Sequence, residues 1–191
     1  MPGQVRMVTD ERDGLLAFLA GQREVITIAA YGLTDEQARA VPSASALSVG
    51  GLIKHVSATE QGWIDLVLRR PQDDGGEQDY EDNFRLADGE TLAEVIDGYR
   101  RVAARTEEVV GGIATLDQPV PVPRGVPWFP QDLDAWSVRW VLLHLIQETA
   151  RHAGHADIIR ESIDGASAYP LMAAVEGWPE TPWIKPWTPP V

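Results

Sequence analysis

Cysteine is missing from this 191-residue chain, which excludes disulfide bonds and any chemistry carried by a protein thiol. Lysine is almost missing: Lys54 and Lys185 are the only two among 16 basic residues, so arginine supplies the other 14. Set against 29 acidic residues, this leaves a formal charge of −13. Proteins that bind nucleic acid neutralise phosphates with a basic footprint, and the lack of one argues against such a partner. The same charge disfavours anionic membrane surfaces. No apolar run approaches the ~20 residues that cross a bilayer, and the N-terminus shows no signal-peptide pattern. With no cysteine, the expected location is cytoplasmic. Internal repeats, convincing strand alternation and an internal linker are also lacking. Few asparagines, arginine in place of lysine and seven tryptophans suggest a GC-rich bacterial genome.

What is present is helical periodicity, in four long segments. The first covers about 10–30, where Leu15, Leu16, Phe18, Leu19, Val25, Ile26 and Ile28 make a broad apolar face. Thr34 to Gln37 matches a capping box and predicts a short helical turn. The second helix, about 48–70, starts at the N-cap Ser48 and is stopped by Pro71. Residues 72–88 are rich in Gly, Asp and Glu and read as a solvated loop; the acid run over 73–82 belongs to that loop rather than to an ion site. The third helix covers about 90–110 and ends at Gly111-Gly112. Pro119, Pro121, Pro123, Pro127 and Pro130 make the next stretch extended. The fourth helix, about 133–163, stops near Gly165, and a short helical piece follows Tyr169. The tail, 166–191, has polyproline character with three tryptophans, whose rings are expected to pin it to the surface. The expected architecture is one all-α domain over 1–191, a four-helix bundle with a Pro/Trp-rich C-terminal tail.

Three of the four histidines, His144, His152 and His155, lie within 139–161, and Glu148 precedes His152 by four residues. Residues four apart on a helix share a face and sit roughly 6 Å apart along the axis, so both side chains reach a single ion. His144 is roughly 12 Å from His152 along the axis, too far to share that ion, and reads as a core residue or a neighbour of the ligands. His152 and His155, three apart, are a competing pair that spacing alone leaves open. A third ligand has to come from a facing helix, and His55 lies on the Leu52, Thr59 and Leu66 side of the second helix. Two imidazoles and one carboxylate with a vacant position form the donor set of catalytic zinc and non-haem iron sites, and nickel or manganese also fits. Trp63, Trp136 and Trp140 at helical spacing read as core, although Trp63 and the tail tryptophans could wall a substrate pocket. Glu60, Asp65 and Glu161 read as solvated charges.

The stretches Ser48-Val-Gly-Gly-Leu-Ile-Lys-His55 and Glu148-Thr-Ala-Arg-His152-Ala-Gly154, with the long gap between them, resemble the DinB-like superfamily. The resemblance extends from the first helix to the end of the fourth. It implies a four-helix bundle that holds a divalent metal through one ligand on the second helix and two on the last. Carried over, the ligands are His55, Glu148 and His152, which selects His152 over His155. Most members have His-x-x-x-His on the last helix; the glutamate here is shared with mycothiol-dependent maleylpyruvate isomerases, similar in their N-terminal domain. Those isomerases carry a further C-terminal α/β domain that contributes to the active site, whereas this chain has the Pro/Trp tail. Shorter members include transferases that conjugate mycothiol or bacillithiol to electrophiles. The resemblance therefore implies a metal-dependent transferase, with zinc as the leading metal and nickel, iron or manganese as alternatives. Its partners would be a low-molecular-weight thiol as co-substrate, mycothiol in an actinobacterial host, and an electrophile. A homodimer formed through the tail is a further candidate. The rival readings are a metal-dependent hydrolase that activates water, and a non-catalytic metal-binding stress protein.

Overall fold

Each long helix starts at a polar side chain that accepts a hydrogen bond from a backbone N–H otherwise left without a partner. Asp10 accepts from the N–H of Asp13, Ser48 from Gly51, Thr91 from Glu94 and Ser137 from Trp140. Each such cap is worth about 1 kcal/mol. Thr34 and Thr91 complete reciprocal capping boxes with Gln37 and Glu94. The computed structural model describes residues 3–70 and 82–189. Within them the elements are α1 (Glu11–Ile28), α2 (Asp35–Arg39), α3 (Val49–Val67), α4 (Leu92–Gly112), β1 (Pro119–Pro121), β2 (Ala135–Ser137), α5 (Val138–Asp164) and α6 (Ala168–Glu176). The four long helices α1, α3, α4 and α5 form an all-α bundle. In it α1 packs on α5, α3 packs on both α4 and α5, and α1 meets α4 only lightly. Among the described residues, no helix is long and apolar enough to cross a membrane.

The interior has two apolar clusters. One gathers Leu19, Trp63, Val110, Leu142 and Leu145; the other gathers Ile26, Leu52, Ile53, Tyr99, Ala156 and Ile159. Every long helix passes from one cluster to the other through a buried polar residue: Arg23 on α1, Glu60 on α3, Thr106 on α4 and Thr149 on α5. Glu60, expected to be solvated, is only 1% exposed. Position 60 lies one turn from Val56 and from Ile64, so its stripe faces inward. Arg23 supplies the compensating charge through a forked pair, Nη2 to Oε1 at 2.6 Å and Nε to Oε2 at 3.0 Å, and the Thr106 hydroxyl donates to Oε1 at 2.5 Å. Asp65, near the surface, accepts from Gln61 and Arg70, and Glu161 is exposed.

Three further expectations change. The last long helix starts at Val138 rather than near 133, because 135–137 pairs antiparallel with 119–121 in the register Val120 to Trp136. Both of those side chains are buried while the flanking prolines face out, so three alternating residues make a ribbon too short to read as a strand pattern. Trp63 and Trp136 are core as expected, but Trp140 is 38% exposed. In the tail, Trp178 and Trp187 pack on Ile28, Ala166, Leu171 and Met172, as a pinned tail requires, whereas Trp183 is exposed. Trp187 also lies 4.8 Å from the guanidinium of Arg160, which is buried and donates to the Ala29 and Tyr31 carbonyls at the end of α1. Most of the expected solvated loop and of its acid run lies outside the described residues.

Where that connection returns, at Phe84, it sits directly on α3. A Cβ added to Gly51 would come within 1.9 Å of the Phe84 carbonyl oxygen, so only glycine permits this approach. Replacing Gly51 with alanine forces the strand of chain at Phe84 off the helix, with an expected loss of about 1–3 kcal/mol in chemical denaturation. Truncating Glu60 to alanine leaves the buried Arg23 with only the half-exposed Glu107 as a charge partner and should cost about 3 kcal/mol by the same measurement. A loss below about 1 kcal/mol would show that Glu107 or water satisfies Arg23 in its place.

Candidate metal centre

His55 lies seven residues after the Ser48 cap, between the buried Leu52 and Val56, so its ring enters the bundle from α3. Glu148 and His152 lie one turn apart on α5, beside the buried Thr149 and Ala153. The α3–α5 contact brings the three together. His55 Nε2 lies 3.3 Å from Glu148 Oε1, and His152 Nε2 lies 3.1 Å from the same oxygen. One ligand-type atom from each of the three residues falls within 4.8 Å of the others. An ion bound at about 2.0–2.2 Å needs donors that far from it and about 3 Å from one another, which both glutamate–histidine distances meet. The residues present can therefore hold a metal ion, and in kind they are the two-imidazole, one-carboxylate set. Both rings are buried; the Glu148 side chain is 25% exposed and forms the solvent side of the site.

Hydrogen bonds to His152 and then His55 hold the Glu148 carboxyl well below the usual carboxylate range, and they outweigh the opposing effect of partial burial. His144 is lowered as well, but by burial, which disfavours its charged form and is partly offset by the charge of Glu148. Its ring stacks on Trp140 at 5.1 Å and meets the edge of Trp63 at 4.8 Å. His144 is thus one turn from the carboxylate but outside the converging donors. His155, left open by spacing, is outside them too; its Nδ1 sits 3.5 Å from His152 Nδ1, on the side of that ring away from Glu148. Trp63 reaches His144 rather than the three donors, and Trp178 and Trp187 pack in the cluster around Ile28, so none of these is seen to wall the site.

One contact escaped the sequence reading. The Phe84 ring stacks on the His55 imidazole, with centroids 3.8 Å apart and planes 19° apart. Its position follows from Gly51, one turn before His55, which admits the backbone of residue 84 against α3. The available signals were an aromatic residue closing an acidic stretch and a glycine pair inside a helix start, and each is uninformative until the other is placed beside it.

The family described as Mycothiol-S-transferase matches residues 14–165. No curated protein matches the chain in sequence. Among solved structures, the chain is similar to the crystal structure of a conserved protein from Enterococcus faecalis, with a TM-score of 0.63 and 14% identity over 83% of this chain and 100% of that one. At that identity the likeness speaks to the fold alone, and it agrees with the all-α bundle described above. The family match runs from within α1 to the end of α5, and on that basis the chain belongs to the mycothiol S-transferases, a DinB-like family.

Proposed function

We propose that His55, Glu148 and His152 hold a divalent cation, zinc foremost and nickel, iron or manganese in its place, and that the protein transfers a low-molecular-weight thiol of the mycothiol type to an electrophile. The observation that carries this reading is the convergence of two buried ring nitrogens on one oxygen of Glu148 at a solvent-facing edge of the bundle. The family description supports the thiol as co-substrate, and so does the lack of cysteine, since the sulfur nucleophile has to come from outside the chain. A cytoplasmic, bacterial and specifically actinobacterial setting fits that thiol.

A divalent cation, when bound, favours the thiolate form of a sulfur ligand at neutral pH. The residues supply the rest. Glu148 adds one negative charge and the imidazoles none, so the site keeps net positive charge toward an incoming sulfur. Phe84 covers His55 and, with the apolar cluster around Leu52 and Ile53, keeps water from the bundle side. The partly exposed Glu148 leaves the approach for thiol and electrophile on its own side. In the transfer the thiolate sulfur forms a bond to the electrophilic carbon, and the leaving group departs with its electron pair.

His55→Ala should lower zinc affinity at least about 100-fold while circular dichroism of the metal-free protein stays unchanged. With zinc or nickel, the wild-type protein should accelerate conjugation of mycothiol to a model electrophile. No rate above the metal-free control with any common thiol would overturn the transferase reading, and turnover of esters without thiol would favour hydrolysis in its place. The lowered Glu148 carboxyl makes a further prediction. A group whose folded-state pKa is depressed stabilises the fold above its unfolded value, about 4.3 for glutamate, and loses that contribution as pH falls below it. The metal-free Glu148→Gln protein should therefore show a shallower loss of melting temperature on acidification below about pH 4 than the wild type.

A further inference from the structure

A neutral imidazole carries one N–H and one lone pair, and the groups around its two nitrogens decide which atom has which. His55 and His152 both turn Nε2 toward Oε1 of Glu148, at 3.3 and 3.1 Å. A cation held at that point takes the Nε2 lone pair, so the proton of His152 has to sit on Nδ1. Left to Glu148 alone, His152 would favour the opposite tautomer, with Nε2–H donated to the carboxylate and no lone pair for a cation. The ring is also only 9% exposed, and an N–H buried to that degree requires an acceptor within the protein.

His155 provides that acceptor. Its Nδ1 lies 3.5 Å from Nδ1 of His152, at the outer limit of a hydrogen bond and too close for a water molecule to stand between them. The two rings are tilted by 63° with centroids 5.5 Å apart, so they do not stack and the nitrogens are their polar contact. The pair is built on one helix, since residues three apart share a face of α5. The Phe84 ring, with its centroid 6.1 Å from that of His152, offers no acceptor, and the His55 ring meets His152 at 4.8 Å on its way to Glu148. His155 is itself partly exposed, so water can serve its own Nε2–H while Nδ1 keeps its lone pair for His152.

We infer that His155 is a positioning residue of the metal centre: its Nδ1 accepts the Nδ1 proton of His152 and so holds that ring in the tautomer and orientation whose Nε2 lone pair faces the cation. The inference rests on the metal reading proposed above and gives a role to a histidine that the three ligands leave out.

The test measures zinc affinity of the full-length protein by competition with a chelator at pH 8, above the ordinary imidazole range. His155→Phe keeps a ring in place but removes the acceptor, and should weaken zinc binding about 10–100-fold while circular dichroism of the metal-free protein stays unchanged. His155→Asn, whose side-chain oxygen takes the place of Nδ1 as acceptor, should recover most of that loss. In the zinc-loaded wild type with nitrogen-15 histidine, NMR should find the proton of His152 on Nδ1 and that of His155 on Nε2, with the His155 signals assigned by their disappearance in His155→Phe. Zinc affinity of His155→Phe equal to wild type, an equal loss in His155→Phe and His155→Asn, or a proton on Nδ1 of His155 in the loaded protein overturns the inference and leaves the metal reading standing. A wild-type protein that binds none of zinc, nickel, iron and manganese sinks the metal reading, and this inference with it.

Discussion

Arg23 and Glu60 meet in the middle of the bundle, and the placement of everything around them depends on that pairing. A single carboxylate there would be prohibitively costly to bury; paired through a fork and joined by the Thr106 hydroxyl, it ties α1, α3 and α4 at one level. The pair fits only one relative height of these helices, because two opposite charges must face each other across the core. Purely apolar layers would tolerate a slip along the axis far better. His55 lies little more than one turn from Glu60 on α3, and Thr149, at the same level on α5, is next to Glu148. The height fixed by the ion pair is thus also the height at which His55, Glu148 and His152 meet.

The site itself follows from two contacts of different kinds. Helix geometry alone puts Glu148 and His152 on one face of α5. The position of His55 opposite them depends on α3 packing against α5, and the orientation of its ring on Phe84, which reaches it only because residue 51 lacks a side chain. A small residue in a helix start therefore bears on chemistry one turn away. His155 and His144 lie close to the donors and are directed elsewhere, one toward the far nitrogen of His152 and one into a stack of aromatic rings.

The bundle is open where α1 and α4 face each other and closed where α3 meets α5, and the polar layer runs between those two sides. The closed side holds His55, Glu148 and His152 at a partly exposed edge. The open side holds a groove between α1 and α4 with a largely apolar wall. The tail braces the end of α1 through Trp187 and Arg160, and its Val175 lines the groove.

Local rules were enough for the helices, their capped starts, the proline-rich extended stretch and the Glu148–His152 pair, since each depends on residues within a few positions of one another. With the resemblance to a DinB-like pattern added, they also singled out His55, which the fold places 3.3 Å from Glu148. They failed for Glu60, whose charge gave no hint of burial until Arg23, 37 positions away, was placed beside it. They failed for the ribbon that delays α5, since three residues carry no periodicity, and for Phe84, whose partner is a ring on another element. Periodicity and capping belong to the chain's own neighbourhood and survive in the sequence. Desolvation, ion pairing across helices and ring stacking depend on which distant segments touch, and the fold alone decided that.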